Sequence, residues 1–241
     1  MMGSFANMES IHQHAYSLLL DTVGLPDVEY KAFAEYEEMA NKHSYVTEFK
    51  PTIKDKKSIA KTLAVYSAFT EGLQLFSSFA ILLNFPRFGK MKGMGQIVTY
   101  SIRDESMHVE AMTKLFREFI QENLDIWTDD FKAELYQICR EMVEHEDKFL
   151  DLVFDMGDIQ GLTKKDMYAY NRYIADRRLL QLGLKTNYDQ RENPLGWIDE
   201  VMGVEHQNFF EGRATSYMKA GLRGKQETIN FTEINNESQG S

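Results

Sequence analysis

Four prolines are spread over 241 residues, and each stands where a helical pattern has just ended or is about to begin. Around Pro26, Pro51, Pro86 and Pro194 run long stretches with little Gly, whose apolar residues recur at helical spacing. No alternating strand pattern exceeds a few residues, and no repeat at a fixed period stands out. The spacing predicts a first helix over about 5–22, stopped by Gly24-Leu25-Pro26. A second is expected over about 27–42, with Asp27 as N-cap and Tyr30, Phe33, Tyr36 and Met39 on one face. A long apolar third covers about 56–84, PRFGKMKGMG reads as a loop, and a fourth covers about 94–122. A fifth runs from Thr128 or Asp129 to Gly157, a sixth from Thr163 to near Gly183, and a last one over about 197–219. Long helices with short connections build an all-α bundle. The expected organisation is one helical domain over 1–220 and a mobile polar tail over 221–241.

Composition removes whole classes of function. A single Cys excludes a disulfide framework, a Cys-rich zinc site and a cysteine-ligated iron–sulfur cluster, and suits a reducing cytoplasm. A net charge of −10 argues against binding nucleic acid, which needs a basic face. MMGSFANMES lacks a basic segment followed by an apolar run, so no signal peptide is expected. The longest apolar stretch, 73–85, is broken by Gln74, Ser77, Ser78 and Asn84, too short and too polar for a membrane span. Acidic balance has another use, because carboxylates are ligands for hard metal ions.

Two Glu-x-x-His units carry that possibility: Glu9-Ser10-Ile11-His12 and Glu105-Ser106-Met107-His108. Residues three apart share a helix face, so each unit can aim one carboxylate and one imidazole at a single point. A further acid, Glu71, stands between Phe69 and Leu73 in the most apolar helix, where an unpaired carboxylate would cost several kcal/mol. A cation removes that penalty. Paired Glu-x-x-His units with single acids from other helices are the di-iron carboxylate pattern of four-helix bundles.

Other ligand-type residues read differently. Glu141-Met142-Val143-Glu144-His145 is flanked by Arg140, Glu146, Asp147 and Lys148, which suggests a solvated, salt-bridged face. His14, His43 and His206 lack an acid in an apolar context. Tyr16, four residues after His12, is either a core tyrosine among Ala15, Leu18, Leu19 and Leu20 or a phenol placed to lose an electron and a proton to an oxidised metal pair.

The segments MESIHQHAYSLL, EGLQLFSSFAILLNFPRFGKMKGMGQIVTYSIRDESMH, REMVEHEDKFLDL and YIADRRLLQLGL resemble the small, radical-generating subunit of class I ribonucleotide reductase, from about residue 3 to 219. The resemblance implies a ferritin-like fold, a homodimer and two iron ions, with manganese as an alternative metal. It further implies reaction with dioxygen to form a stable tyrosyl radical, which the large catalytic subunit uses to reduce ribonucleotides. By the same resemblance Glu9 and His12 are ligands of one metal, and Glu71, Glu105 and His108 ligate or bridge to the other, with Glu71 and Glu105 separated by 34 residues as in the family. Tyr16 takes the radical position. Asp104 takes that of the acid that hydrogen-bonds a ligand histidine and lies on the radical-transfer route. Leu75 and Phe79 take those of the apolar radical pocket.

The likeness is incomplete. The family has another ligand acid and a route tryptophan upstream of the first Glu-x-x-His, whereas Glu9 here has eight residues before it. Trp127 and Trp197 lie in other contexts, and after Tyr217 the tail offers Phe231 but no tyrosine for the relay. The expectation is a chain that alone binds metal incompletely and makes little radical, restored by a separately encoded N-terminal fragment. Two alternatives stand beside it. One is another ferritin-like oxidase, such as an iron-storage protein or hydroxylase subunit. The other is a helical scaffold without metal chemistry.

Overall fold

The computed structural model describes residues 2–24, 31, 35–49 and 55–200. Helix α1 (Met2–Val23) ends at Gly24, whose φ of +67° is left-handed backbone that a side chain would strain. Helix α2 spans Glu37–Glu48. The second helix expected over 27–42 has most of its first half outside the described residues; within them Tyr36 is extended at an N-cap, and the helix continues six residues past Lys42. Tertiary contacts explain the extension, since Lys42 and Tyr45 both reach acids on a later helix. Tyr30 and Phe33 lie outside the described residues.

The long apolar helix is continuous but not uniform. It begins as α3 (Lys56–Ala64), whose N-cap Asp55 accepts the Ser58 N–H at 2.8 Å and is answered by the Ser58 hydroxyl, a capping box. It then passes through a ten-residue π-helical segment, Val65–Gln74, and resumes as α4 (Leu75–Arg87). Helical periodicity gives no warning of that π segment. The expected loop beginning at Pro86 is shorter, because α4 runs through Pro86 and the next helix, α5 (Lys92–Glu122), starts after Met91. Gly95 lets the two helices meet: a Cβ there would stand 2.3 Å from Pro86 Cγ.

Helices α6 (Asp129–Val153) and α7 (Lys164–Gln181) start at Thr128 and Thr163, whose hydroxyls accept the N–H of Phe131 and Asp166. Helix α6 stops four residues short of Gly157. Another helix begins at Gly196; its course after residue 200, the boundary near 220 and the tail lie outside the described residues. All the described residues belong to one unit, Met1–Met202. The only β feature among them is an isolated bridge between Ile159 and Leu162.

The core lies where the π segment crosses α5, α6 and α7, filled by Phe69, Leu73, Phe116, Phe131, Leu135, Met142, Met167 and Leu179. Helix α1 lies chiefly against α5. Among the described residues no helix is long and apolar enough to cross a membrane. The architecture is therefore an all-α bundle whose central element is an apolar helix that carries an acid.

Candidate metal centre

That acid, Glu71, sits inside the π segment, and the two Glu-x-x-His units face it from α1 and α5. Glu105 is the hub. His12 Nδ1 lies 3.3 Å from its Oε1, and His108 Nδ1 lies 3.5 Å from its Oε2. Glu9 spans the same two imidazoles from the other side, at 3.8 Å from His12 Nδ1 and 3.2 Å from His108 Nδ1. One oxygen or nitrogen from each of Glu9, Glu105 and His108 falls within 4.8 Å of the others, close enough for one cation.

The electrostatics show what the cluster lacks. Burial, then repulsion from Glu9, pushes the Glu71 carboxyl up to about 7. Burial first, then Glu9, Glu71 and Asp104, pushes Glu105 up to about 8. Oε2 of Glu105 is buried with no hydrogen bond. Burial lowers the His108 pKa, which favours the neutral imidazole that ligates metals. Three carboxylates and two imidazoles thus converge, and the donor set fits divalent cations of the iron or manganese type.

Neighbouring groups orient the donors. Asp104 Oδ2 lies 3.2 Å from His12 Nε2, and a carboxylate accepts, so Nε2 is the donor of this pair and Nδ1 is the atom turned to the cluster. The other Asp104 oxygen accepts from Arg103. The His108 ring packs on Phe5 at 4.1 Å, with Nε2 3.3 Å from Met8 Sδ. The Tyr16 hydroxyl donates to Ser101 Oγ at 3.0 Å, and Ser101 donates to the Ile97 carbonyl. Ser101 lies one turn before Glu105 on the same face of α5. Burial raises the Tyr16 pKa, the Ser101 bond opposes this, and Glu105 adds to it, so the phenol is held protonated.

All seven residues singled out in the sequence therefore lie in one region: Glu9, His12, Tyr16, Glu71, Asp104, Glu105 and His108. Phe79 is buried, but Leu75 is 37% exposed, because an i→i+5 ladder turns it off the face that α-helical spacing assigns and puts Phe76 inside instead. The Glu141–His145 stretch is bound to protein groups: Glu141 accepts from Tyr45 and Gln137, and the His145 ring lies against Tyr45. Glu146 corrects the reading of a solvated face, since it is fully buried and pairs with Lys42 at 2.6 Å. Its position was legible in the apolar row Met142, Glu146, Leu150. His14 is exposed, and His206 is outside the described residues.

Known proteins are similar to this chain over most of its length. Residues 1–194 match the family model described as "Ribonucleotide reductase, small chain". The probable ribonucleoside-diphosphate reductase small subunit 376L of Invertebrate iridescent virus 6 is 41% identical, over 95% of this chain and 74% of the viral protein. The ribonucleoside-diphosphate reductase subunit beta of Chlamydia pneumoniae is 32% identical over 88% of this chain. Among solved structures, the ribonucleotide reductase R2 subunit from Clostridium botulinum superposes with a TM-score of 0.73 at 28% identity over 80% of this chain. The chain spans 64% of the length of the Chlamydia protein and 62% of that of the Clostridium protein.

Proposed function

This chain belongs to the ribonucleotide reductase small-chain family, and from that premise we propose that it is the metal-carrying part of a ribonucleoside-diphosphate reductase small subunit. The reading is that Glu9, His12, Glu71, Glu105 and His108 hold two iron ions, with manganese as the alternative, and that Tyr16 is the residue oxidised. The observation that carries it is the convergence of two imidazole Nδ1 atoms on the single buried Glu105 carboxylate.

With dioxygen, the bound metals would supply the oxidising chemistry that converts a phenol to a radical. The remaining work falls to this chain's side chains. Asp104 keeps the proton on His12 Nε2, so that Nδ1 is free to ligate. Phe5 and Met8 confine the His108 ring, and burial keeps it neutral. Glu71 and Glu105 must release their protons as metal enters, which couples loading to pH. Tyr16 is protonated at rest, so its oxidation removes a proton with the electron, and the hydroxyl proton points at Ser101 Oγ. The Glu9 side chain is 50% exposed, which leaves the cluster open on the α1 side for a further acid from another segment. The partners proposed are the large catalytic subunit, a second copy in a homodimer, and a segment supplying that acid; a cytoplasmic location accords with the single, buried Cys139 thiol.

Ferrous iron is added anaerobically, then dioxygen, and the product is read by electron paramagnetic resonance. The expected result is incomplete iron binding and little radical from the chain alone, and, once the N-terminal segment of a relative is added, a tyrosyl radical that vanishes in Tyr16→Phe while iron remains. Iron consumed without a radical, even with the N-terminal segment of a relative added, would favour another ferritin-like oxidase. A chain that binds no iron would favour a scaffold.

A further inference from the structure

Glu71 is placed by a π segment, and a π turn set between α-helical stretches disturbs the i→i+4 ladder, so its carbonyls need other partners. Two of them are taken by cations from elsewhere. Arg178 on α7 donates from Nε to the Gly72 carbonyl at 2.7 Å. Lys42 on α2 donates from Nζ to the Gln74 carbonyl at 3.1 Å. Both are anchored: the Arg178 guanidinium lies 4.6 Å over the Phe76 ring and donates to Gln181, and Lys42 pairs with the buried Glu146 at 2.6 Å while lying 4.5 Å over Phe149. Arg178 is 6% exposed, and burying a guanidinium costs several kcal/mol unless its partners are well placed.

Gly72 makes the first contact possible. A Cβ at this position would lie 2.7 Å from Arg178 Nε and 2.9 Å from the Ser67 carbonyl oxygen. The residue directly after the candidate ligand therefore lacks a side chain where the guanidinium must approach. Glu146, which binds Lys42, comes from α6, so α2, α6 and α7 together grip a stretch that begins one residue after Glu71.

The geometry points to Arg178 and Lys42 as positioning residues that clamp the π turn from Gly72 to Gln74 and so aim the Glu71 carboxylate. Neither reaches the cluster; both act through the backbone. The inference rests on the metal reading for what Glu71 binds, but the clamp can be tested without metal.

The test compares the chain with Arg178→Gln, Arg178→Lys and the paired change Lys42→Met with Glu146→Leu, which replaces a buried ion pair by apolar groups and is expected to stay folded. Amide hydrogen exchange is followed by mass spectrometry on metal-free protein, and Mn(II) affinity by calorimetry. Loss of one charged hydrogen bond should speed exchange over 65–76 by about tenfold or more, with 129–140 unchanged. Mn(II) affinity should fall by a similar factor, about tenfold. Arg178→Lys should recover part of both. Folded variants whose π-segment exchange matches the parent, or rises no more than exchange over 129–140, would overturn the clamp. If Arg178→Gln does not fold, the paired variant decides on the same criterion. A parent chain that binds no Mn(II) would defeat the metal reading, with exchange alone still judging the clamp.

Discussion

The two Glu-x-x-His units share a spacing and little else. On α5 the unit is part of the core: the Glu105 and His108 side chains are 4% and 1% exposed, and the helix packs against the π segment that carries Glu71. On α1 the unit sits on an outer helix that lies chiefly against α5, and the Glu9 side chain is 50% exposed. Identical spacing therefore yields a fixed half and an applied half. The α5 half carries the electrostatic cost of gathering these acids, because burial and neighbouring acids drive Glu105 up. The α1 half contributes donors and remains open to solvent at Glu9.

That contrast predicts unequal mutants. The largest effect belongs to Glu105→Gln, which should abolish metal binding in calorimetry yet raise the melting temperature of the metal-free chain by removing a buried carboxylate crowded by Glu9, Glu71 and Asp104. Glu9→Gln should weaken binding less and leave the metal-free melting temperature nearly unchanged. Equal losses from both would erase the distinction between the two halves. Next comes Asp104→Asn, which removes the obligate acceptor at His12 Nε2 and should cost about 10–100-fold in metal affinity, as such orienting groups do.

Acidity sharpens the comparison further. Glu71 at about 7 and Glu105 at about 8 lie above the ordinary 4.5, so the folded chain keeps protons that the unfolded chain has released. Stability of the metal-free chain should therefore fall as pH rises from about 4.5 to about 8, while metal affinity rises over the upper part of that window. Melting curves at about pH 6 and about pH 8.5, with and without Mn(II), should diverge accordingly. The smallest effect on binding is expected from Ser101→Ala: metal content unchanged, with an altered radical line shape, since only the Tyr16 hydroxyl loses its partner.

What the sequence disclosed follows from where the information lies. Local periodicity marks α1, α5, α6 and α7 to within a few residues, and the i, i+3 rule makes Glu9 with His12 and Glu105 with His108 readable as pairs. Ser101 was not singled out, although its place four residues before Glu105 on the same face was a usable signal. The π segment was not, because its register is held by Arg178 and Lys42, over a hundred and about thirty residues distant in sequence from the carbonyls they bind. Leu75 was misplaced for the same reason, its face depending on that register. The extension of α2 past Lys42 likewise depends on Glu141 and Glu146, partners that no window around residue 42 contains.

Anomalous diffraction from crystals soaked in Fe(II) or Mn(II) offers the sharpest trial. Density for cations should lie between His12 Nδ1, His108 Nδ1 and the Glu105 carboxylate, with Glu9 and Glu71 drawn onto it. Metal-soaked crystals in which those five side chains stay unligated, or in which cations settle only elsewhere on the acidic surface, would contradict the account.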